Sequence, residues 1–273
     1  MPVPPSPADR ARAAVRARLV DAARDGTDAL VERVAQLEQR LAELEQREAS
    51  RHEEVLAALA GWERRTRRDV MTALERQAAD SSAAYLREAV PHIERFTHPH
   101  DTLRHALASV AVDGMALEFG VATGTTLRII AEEHARGSVH GFDVFTGLPE
   151  DWRLGFPAGE FAQERLPEVA GAELVVGLFA DTLPAFLAEH PGPVAFAHLD
   201  ADLYSSTATV LELVGPRLVP GSVLLFDEYW NYPGWQDHEH RAWHEHVART
   251  GLGWRWLGMT MDDEQVSVLV TSG

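Results

Sequence analysis

Ala116-Leu117-Glu118-Phe119-Gly120-Val121-Ala122-Thr123-Gly124-Thr125-Thr126 runs from a short apolar strand, through a glycine turn, into the start of a helix. Two glycines four residues apart let the backbone turn sharply and come close to a ligand. A pyrophosphate-binding fingerprint would read G-x-G-x-x-G. Here Ala122 occupies the middle position and the spacing is G-x-x-x-G. That departure speaks against a nicotinamide dinucleotide and suits a nucleoside ligand with no phosphate to cradle. Taken alone, the turn is also explained by a purely structural glycine pair.

Strand and helix signals alternate outward from this turn. Helix follows to about Ala135, then strand at 139–142, strand at 174–176, helix over 183–189, strand at 194–199, helix from Ser205 to about Leu218, and strand at 222–226. The last is short and continuously apolar, as strands are when helices cover both sheet faces. Trp254–Gly258 and Gln265–Val270 read as a closing hairpin. The pattern predicts an α/β fold, a Rossmann-like, doubly wound, mostly parallel sheet over residues 101–273.

The first hundred residues differ. The first dozen are proline-rich and expected to lack order, within a 1–26 stretch that is disordered or partly helical. From Thr27 to Ala79 the chain is rich in Ala, Leu, Glu, Gln and Arg with no proline, and predicts a long helix. Leu30, Val34, Leu37, Leu41 and Leu44 follow 4-3-4-3 spacing, the seam of a coiled coil. Glu48 and Arg51 interrupt it before Val55, Ala58 and Trp62 resume it. The extension, 27–96 with a second helix over 83–96, is expected to pair two copies; the alternative is a helix folded back on its own domain. The proline turn Thr97-His98-Pro99-His100 is the expected boundary.

Composition narrows the chemistry. The 273 residues contain no cysteine, which excludes disulfides, thiolate metal sites and cysteine nucleophiles. All 25 basic residues are arginine, and the formal charge is −17. Residues 1–100 hold 16 Arg against 17 acidic residues; residues 101–273 hold 9 against 25. So acidic a domain repels phosphate backbones, so no nucleic-acid partner is expected. There is neither a signal-peptide pattern nor an apolar run of membrane-spanning length, and a cytoplasmic location is expected.

In an open α/β sheet, ligands bind at the carboxyl ends of the strands, and the unusual polar residues lie there. Asp143 ends the second strand, where a carboxylate can accept from two ribose hydroxyls or cap a helix. Gly177-Leu178-Phe179-Ala180-Asp181 follows the third; Phe179 can flank an adenine and Asp181 can accept from its amino group, or simply cap the next helix. The fourth and fifth strands end in Asp200-Ala201-Asp202 and Asp227-Glu228. Four carboxylates brought together repel one another, and a hard divalent cation such as Mg2+ relieves this through oxygen ligands. One carboxylate then stays free as a base, unless one or two serve as helix caps.

The blocks LEFGVATGTT, HGFDVFTGLPEDW, VVGLFADTLPAFL, HLDADLYSSTATVL and PGSVLLFDEYWNYPGW, with the adjoining QDHEHRAW, resemble class I S-adenosylmethionine-dependent methyltransferases of the macrocin O-methyltransferase type. The resemblance covers Leu117 to Ala242 and leaves out the N-terminal helix. It implies the class I methyltransferase fold. It also implies that Glu118, Gly120, Val121, Gly124 and Thr126 hold the methionine part of the donor, with Asp143 on the ribose and Asp181 at the adenine. It implies Mg2+ on Asp200, Asp227 and Glu228 and a general base at Asp202, with exchange of roles between Asp200 and Asp202 left open. Glu228 stands where the family usually has aspartate. The implied reaction is O-methylation of a small-molecule or glycan hydroxyl, in particular that of a sugar in a natural product.

Phe145–Leu166, rich in glycine and aromatics, reads as a lid or as a plain connection. The histidine-rich run 238–246 reads chiefly as a solvated helix face; His240 and His244, four apart, can also ligate metal, and His238 is a second candidate base. Trp230, Tyr232 and Trp235 either stack on a sugar or pack the core. The competing functions are a nicotinamide-dependent oxidoreductase and a coiled-coil interaction protein carrying a degenerate methyltransferase domain.

Overall fold

The computed structural model describes residues 7–90 and 92–272. Two compact units are resolved, one up to Asp69 and one from Val70 onward. The first is a single helix, α1 (Pro7–Arg68). It begins within the proline-rich stretch expected to lack order; residues 1–6 lie outside the described residues. At 62 residues it is about 93 Å long. Leu30, Val34, Leu37, Leu41 and Leu44 are all more than half exposed along it.

The second unit opens with α2 (Val70–Ala89). The helix expected over 83–96 stops at Ala89, before Pro91, and Glu94–Phe96 is instead a short strand, β1. A proline disfavours helix at the residue before it, which accounts for the stop. After α3 (Pro99–Ala108) come β2 (Met115–Phe119), α4 (Thr125–Glu133), β3 (Val139–Asp143), β4 (Glu173–Val176), α5 (Phe179–Glu189), β5 (Val194–Leu199), α6 (Tyr204–Val214), β6 (Val223–Phe226), α7 (Glu239–Thr250), β7 (Gly253–Thr260) and β8 (Val266–Ser272).

The eight strands form one sheet in the order β1-β7-β8-β6-β5-β2-β3-β4. All neighbours are parallel except β7–β8 and β8–β6, so the expected C-terminal hairpin is present. The sheet has two cores. Leu117, Phe119, Leu199 and Phe226 pack with α5, α6 and α7 on one face. Ala116, Phe196 and Leu225 pack with α3 and α4 on the other. Burial on both faces is why these strands are apolar throughout. The chain runs outward from β2 to β3 and β4, then returns to place β5 on β2's other side. The crevice between β2 and β5 is therefore the topological switch point where such folds take ligands. No helix among the described residues is long and apolar enough to cross a membrane.

Candidate active site

At the switch point the β2 and β5 loops are pressed together. The Asp200 N–H donates to the Phe119 carbonyl at 2.9 Å, and the Gly120 N–H to that of Phe142 at 2.9 Å. A side chain on Gly120 would meet the Asp200 carbonyl oxygen at 1.7 Å, so only glycine fits. Three non-glycine residues around this point, Ala122, Phe145 and Asp202, hold left-handed backbone at φ of 43°, 57° and 58°. Such conformations cost about 1–3 kcal/mol each and persist where the surroundings enforce them.

A cavity of about 490 Å3 opens here. Gly120, Asp143 and Phe179 line one side; Asp200, Asp202 and Glu228 line the other. The size suits one drug-sized ligand. Asp143 holds the glycine loop: its Oδ2 accepts from the Val121 and Ala122 N–H groups at 2.9 Å each, and its Oδ1 from Phe145 N–H at 2.6 Å. Phe179 starts α5 and meets Phe119 edge-on at 5.5 Å.

The other expected donor residues lie behind this lining. Glu118 is fully buried, the Val121 side chain is in the core, and Gly124 caps α4 at φ 74°. Burial raises the Glu118 carboxyl above the usual range, and hydrogen bonds from His198 and then Thr126 offset part of that rise. Asp181 departs from expectation. It sits exposed in the first turn of α5, outside the cavity lining, because α5 begins four residues earlier than its sequence signal and carries it past the crevice.

The carboxylates do converge, in two sets sharing Asp200. Asp200, Asp202 and Glu228 each offer an oxygen within 4.8 Å of the others'. Asp200 also groups with His198 and Asp227. His198 is fully buried and bridges two acids: Nδ1 lies 2.8 Å from Glu118 Oε1 and Nε2 lies 3.3 Å from Asp227 Oδ1. Burial opposes charge on His198, but the bonds to Asp227 and Glu118 outweigh it and raise its pKa well above the ordinary value. Both ring nitrogens then donate. Burial likewise pushes Asp227 up, yet the His198 cation and the Gln265 amide bring it below the usual range. Its Oδ2 accepts from Gln265 at 3.3 Å.

The remaining carboxyls are driven the other way. Burial, then the charge of Asp227, raises Asp200 and Glu228 well above the usual carboxylate range. Burial raises Asp202 to about 7, against the pull of Arg153. Glu228 Oε2 is buried without a hydrogen-bond partner. A further buried acid, Glu239 at the start of α7, accepts from the Glu228 N–H at 3.0 Å.

His198, Glu239 and Arg153 are the site residues that motif reasoning passed over. His198 has a legible signal: it pairs in register with Glu118 on neighbouring parallel strands, one residue short of both strand ends. Arg153 comes from the connection over 145–166, which has neither helix nor strand. Its guanidinium lies 4.0 Å from the Trp152 ring centre and 4.5 Å from that of Tyr232, and it pairs with Glu264 at 3.0 Å. This connection lines the cavity, as a lid would, through Leu148, Trp152 and Phe156 among others.

The histidine run is not a solvated face. Glu239, Trp243 and His246 are buried, and His240 and His244 pack into an aromatic cluster with Tyr85 and Tyr229. The Tyr85 hydroxyl lies 2.9 Å from His244 Nε2. His238 packs on Trp152 and Tyr232 and lines a second cavity, not the one that the carboxylates line. Trp230, Tyr232 and Trp235 are core residues, each 2% exposed or less.

Comparison with known proteins agrees with this architecture. Residues 117–229 match the methyltransferase domain family. A Streptomyces olivaceus enzyme, 8-demethyl-8-(2,3-dimethoxy-alpha-L-rhamnosyl)-tetracenomycin-C 4'-O-methyltransferase, is 45% identical over 157 residues, 47% of this chain and 59% of that enzyme. The aligned stretch thus spans less than two thirds of the relative's length. The crystal structure of the calicheamicin methyltransferase CalS11 superposes with a TM-score of 0.52 at 26% identity, covering 74% of this chain and 93% of that one. A second structure of CalS11, without ligand and described as a TDP-rhamnose 3'-O-methyltransferase, gives 0.45 at 25% identity, covering 72% and 93%. Residues 117–229 therefore match the methyltransferase domain family, and the sheet has the class I fold shared by S-adenosylmethionine-dependent O-methyltransferases.

Proposed function

We propose that this chain transfers the methyl group of S-adenosylmethionine to a hydroxyl of a sugar, in particular a deoxyhexose of the rhamnose kind carried by a natural product. One observation carries the proposal. A single cavity has the glycine turn, Asp143 and Phe179 on one side, and Asp202, raised to about 7, on the other. The first set suits an uncharged nucleoside; the second suits proton removal from an alcohol at neutral pH. The rhamnosyl acceptor named for the Streptomyces relative supports the choice of sugar.

The roles follow from position. Asp143 is placed for the ribose and Phe179 for the adenine face, while Glu118, Gly120 and Thr126 shape the methionine end. Asp202 takes the hydroxyl proton as the oxygen bonds to the methyl carbon. The carbon–sulfur bond breaks with its electron pair on sulfur, and the sulfonium charge is discharged. Much of the gain comes from holding the reactants in line.

The donor set fits Mg2+, being all oxygen with Glu228 Oε2 unpartnered. Asp200 and Glu228 would hold the ion, since Mg2+ takes one or two protein carboxylates and keeps water for the rest. It would supply Lewis acidity and offset the crowded negative charge. Asp227, held by His198 and Gln265 and outside the cavity lining, positions the pair rather than ligating. This revises the ligand set that the family resemblance implies.

Helix α1 is proposed to pair with a second copy through its exposed leucine seam, since an isolated helix of this length gains its stability by burying such a stripe. Calorimetric titration with the methyl donor and with a dinucleotide tests the core proposal. Donor binding without dinucleotide binding supports it. Dinucleotide binding favours an oxidoreductase, and binding of neither favours a degenerate domain on a coiled coil.

A further inference from the structure

Asp80-Ser81-Ser82-Ala83 sets two serines side by side in the middle of α2. Serine is disfavoured in a helix interior because its hydroxyl competes for backbone partners. Here both hydroxyls donate back to the Ala78 carbonyl at 2.8 Å. Their lone pairs are thereby left to accept from outside the helix. Ser81 Oγ accepts from Trp235 Nε1 at 2.9 Å, and Ser82 Oγ accepts from the Asn231 N–H at 2.9 Å. Both donors belong to the segment between β6 and α7, which starts with Asp227 and Glu228.

Tyr229, Trp230, Tyr232 and Trp235 bury this segment, so its backbone polar groups need partners within the protein. The Glu228 N–H donates to Glu239 Oε2 at 3.0 Å, and the Glu228 carbonyl accepts from the Tyr232 hydroxyl at 3.3 Å. The Tyr229 N–H donates to the Glu264 carbonyl at 3.1 Å. Asn231 holds left-handed backbone at φ 67°, and Ser82 takes its N–H. Glu228 is thus gripped at both of its backbone polar groups, and the turn behind it is fastened to α2. The grip has a purpose. Glu228 offers a buried carboxylate oxygen within 4.8 Å of those of Asp200 and Asp202, and like charges push a long side chain away. A fixed backbone limits where that side chain can retreat.

We infer that Ser82 and Glu239 are positioning residues: they hold the backbone that turns the Glu228 carboxylate toward Asp200 and Asp202. Both lie outside the matched residues 117–229, so α2 is a working part of the site rather than a tether for α1. This rests on the proposed Mg2+ site and adds the groups that build it. Groups that orient a metal ligand from behind are worth about 10–100-fold in metal affinity.

The test is calorimetric titration of the full chain with Mg2+ and, separately, with S-adenosylmethionine. Ser82→Ala is expected to weaken Mg2+ binding by about tenfold while donor affinity holds. Ser81→Ala is the control. It removes a bond of the same length from the same helix, but one that ends on the Trp235 side chain, and Mg2+ affinity should stay at the parental value. Glu239→Ala is expected to lose at least as much as Ser82→Ala, whereas Glu239→Gln, whose amide oxygen accepts the same N–H, is expected to restore binding. Should Glu239→Ala fail to fold, the serine pair decides. Parental Mg2+ affinity in Ser82→Ala, or an equal loss in Ser81→Ala, overturns the inference and leaves the Mg2+ site standing. A loss in Glu239→Gln as large as in Glu239→Ala overturns the positioning role of Glu239. A parent chain that binds the donor but no Mg2+ removes the metal site and this inference with it.

Discussion

Gly120→Ala is the substitution whose effect the structure defines best. Gly120 holds φ at +95°, and a Cβ there would lie 1.7 Å from the Asp200 carbonyl oxygen and 2.8 Å from its carbon. Carbon–oxygen contacts normally need about 3.3–3.6 Å, so the β2 and β5 loops must part by roughly 1.5 Å. Gly155 supplies an internal control: its φ is also +95°, with nothing within 4 Å of the added carbon. Gly155→Ala should therefore cost only the backbone penalty, about 1–2 kcal/mol. Gly120→Ala should cost that plus an overpacking term of about 1–3 kcal/mol, for a total of about 2–5 kcal/mol. Urea unfolding followed by tryptophan fluorescence measures both, since Trp62 alone of the seven tryptophans precedes Val70 and the signal reports the sheet unit. Donor affinity should also fall in Gly120→Ala, because the glycine turn proposed to shape the methionine end is displaced, and hold in Gly155→Ala. Equal losses of stability in the two variants would refute the close approach at the switch point.

The acidic site makes stability depend on pH. Burial raises Asp202 and Glu264 to about 7, above their unfolded values near 4, so the folded protein binds more protons between those limits. That contribution is complete below about pH 4 and lost as pH rises through about 7. Metal-free protein should melt lower at about pH 8 than at about pH 5, with added Mg2+ raising Tm more at the higher pH; a flat metal-free profile would contradict this. Glu228→Gln should weaken Mg2+ binding by calorimetry more than Asp227→Asn, which should instead lower Tm by loosening His198; the reverse order would restore Asp227 as a ligand. Deleting residues 1–69 should convert a dimer to a monomer in light scattering, and a full-length monomer would sink the α1 pairing.

The sheet was legible because its strands are apolar on both faces and its glycine turn stands out from them. The residues at the cavity edge were legible for the same reason: Gly120, Asp143, Asp200, Asp202 and Glu228 are polar or small where the pattern is otherwise hydrophobic. Residues that act from behind the lining were harder. His198 reads as part of an apolar strand, and its function emerges only when register sets it beside Glu118. Arg153 lies in a stretch without periodicity, and its place depends on a distant partner, Glu264. The α7 histidines were misjudged because charge and hydrogen-bonding capacity suggest solvent, whereas here the rings pack edge to face with Tyr85, Tyr229 and Trp235. Asp181 was read as lying ahead of a helix over 183–189, whereas α5 starts at Phe179 and takes Asp181 into its first turn.

The central claim is that Asp202 removes the proton from a sugar hydroxyl beside a bound methyl donor. Mass spectrometry of naphthyl rhamnoside incubated with S-adenosylmethionine, Mg2+ and either the parent chain or Asp202→Asn tests it, with donor binding of both measured by calorimetry. The account predicts one added methyl group with the parent chain, and a loss of about a hundredfold or more in rate with Asp202→Asn at undiminished donor affinity. Methyl transfer by Asp202→Asn at the parental rate would contradict it.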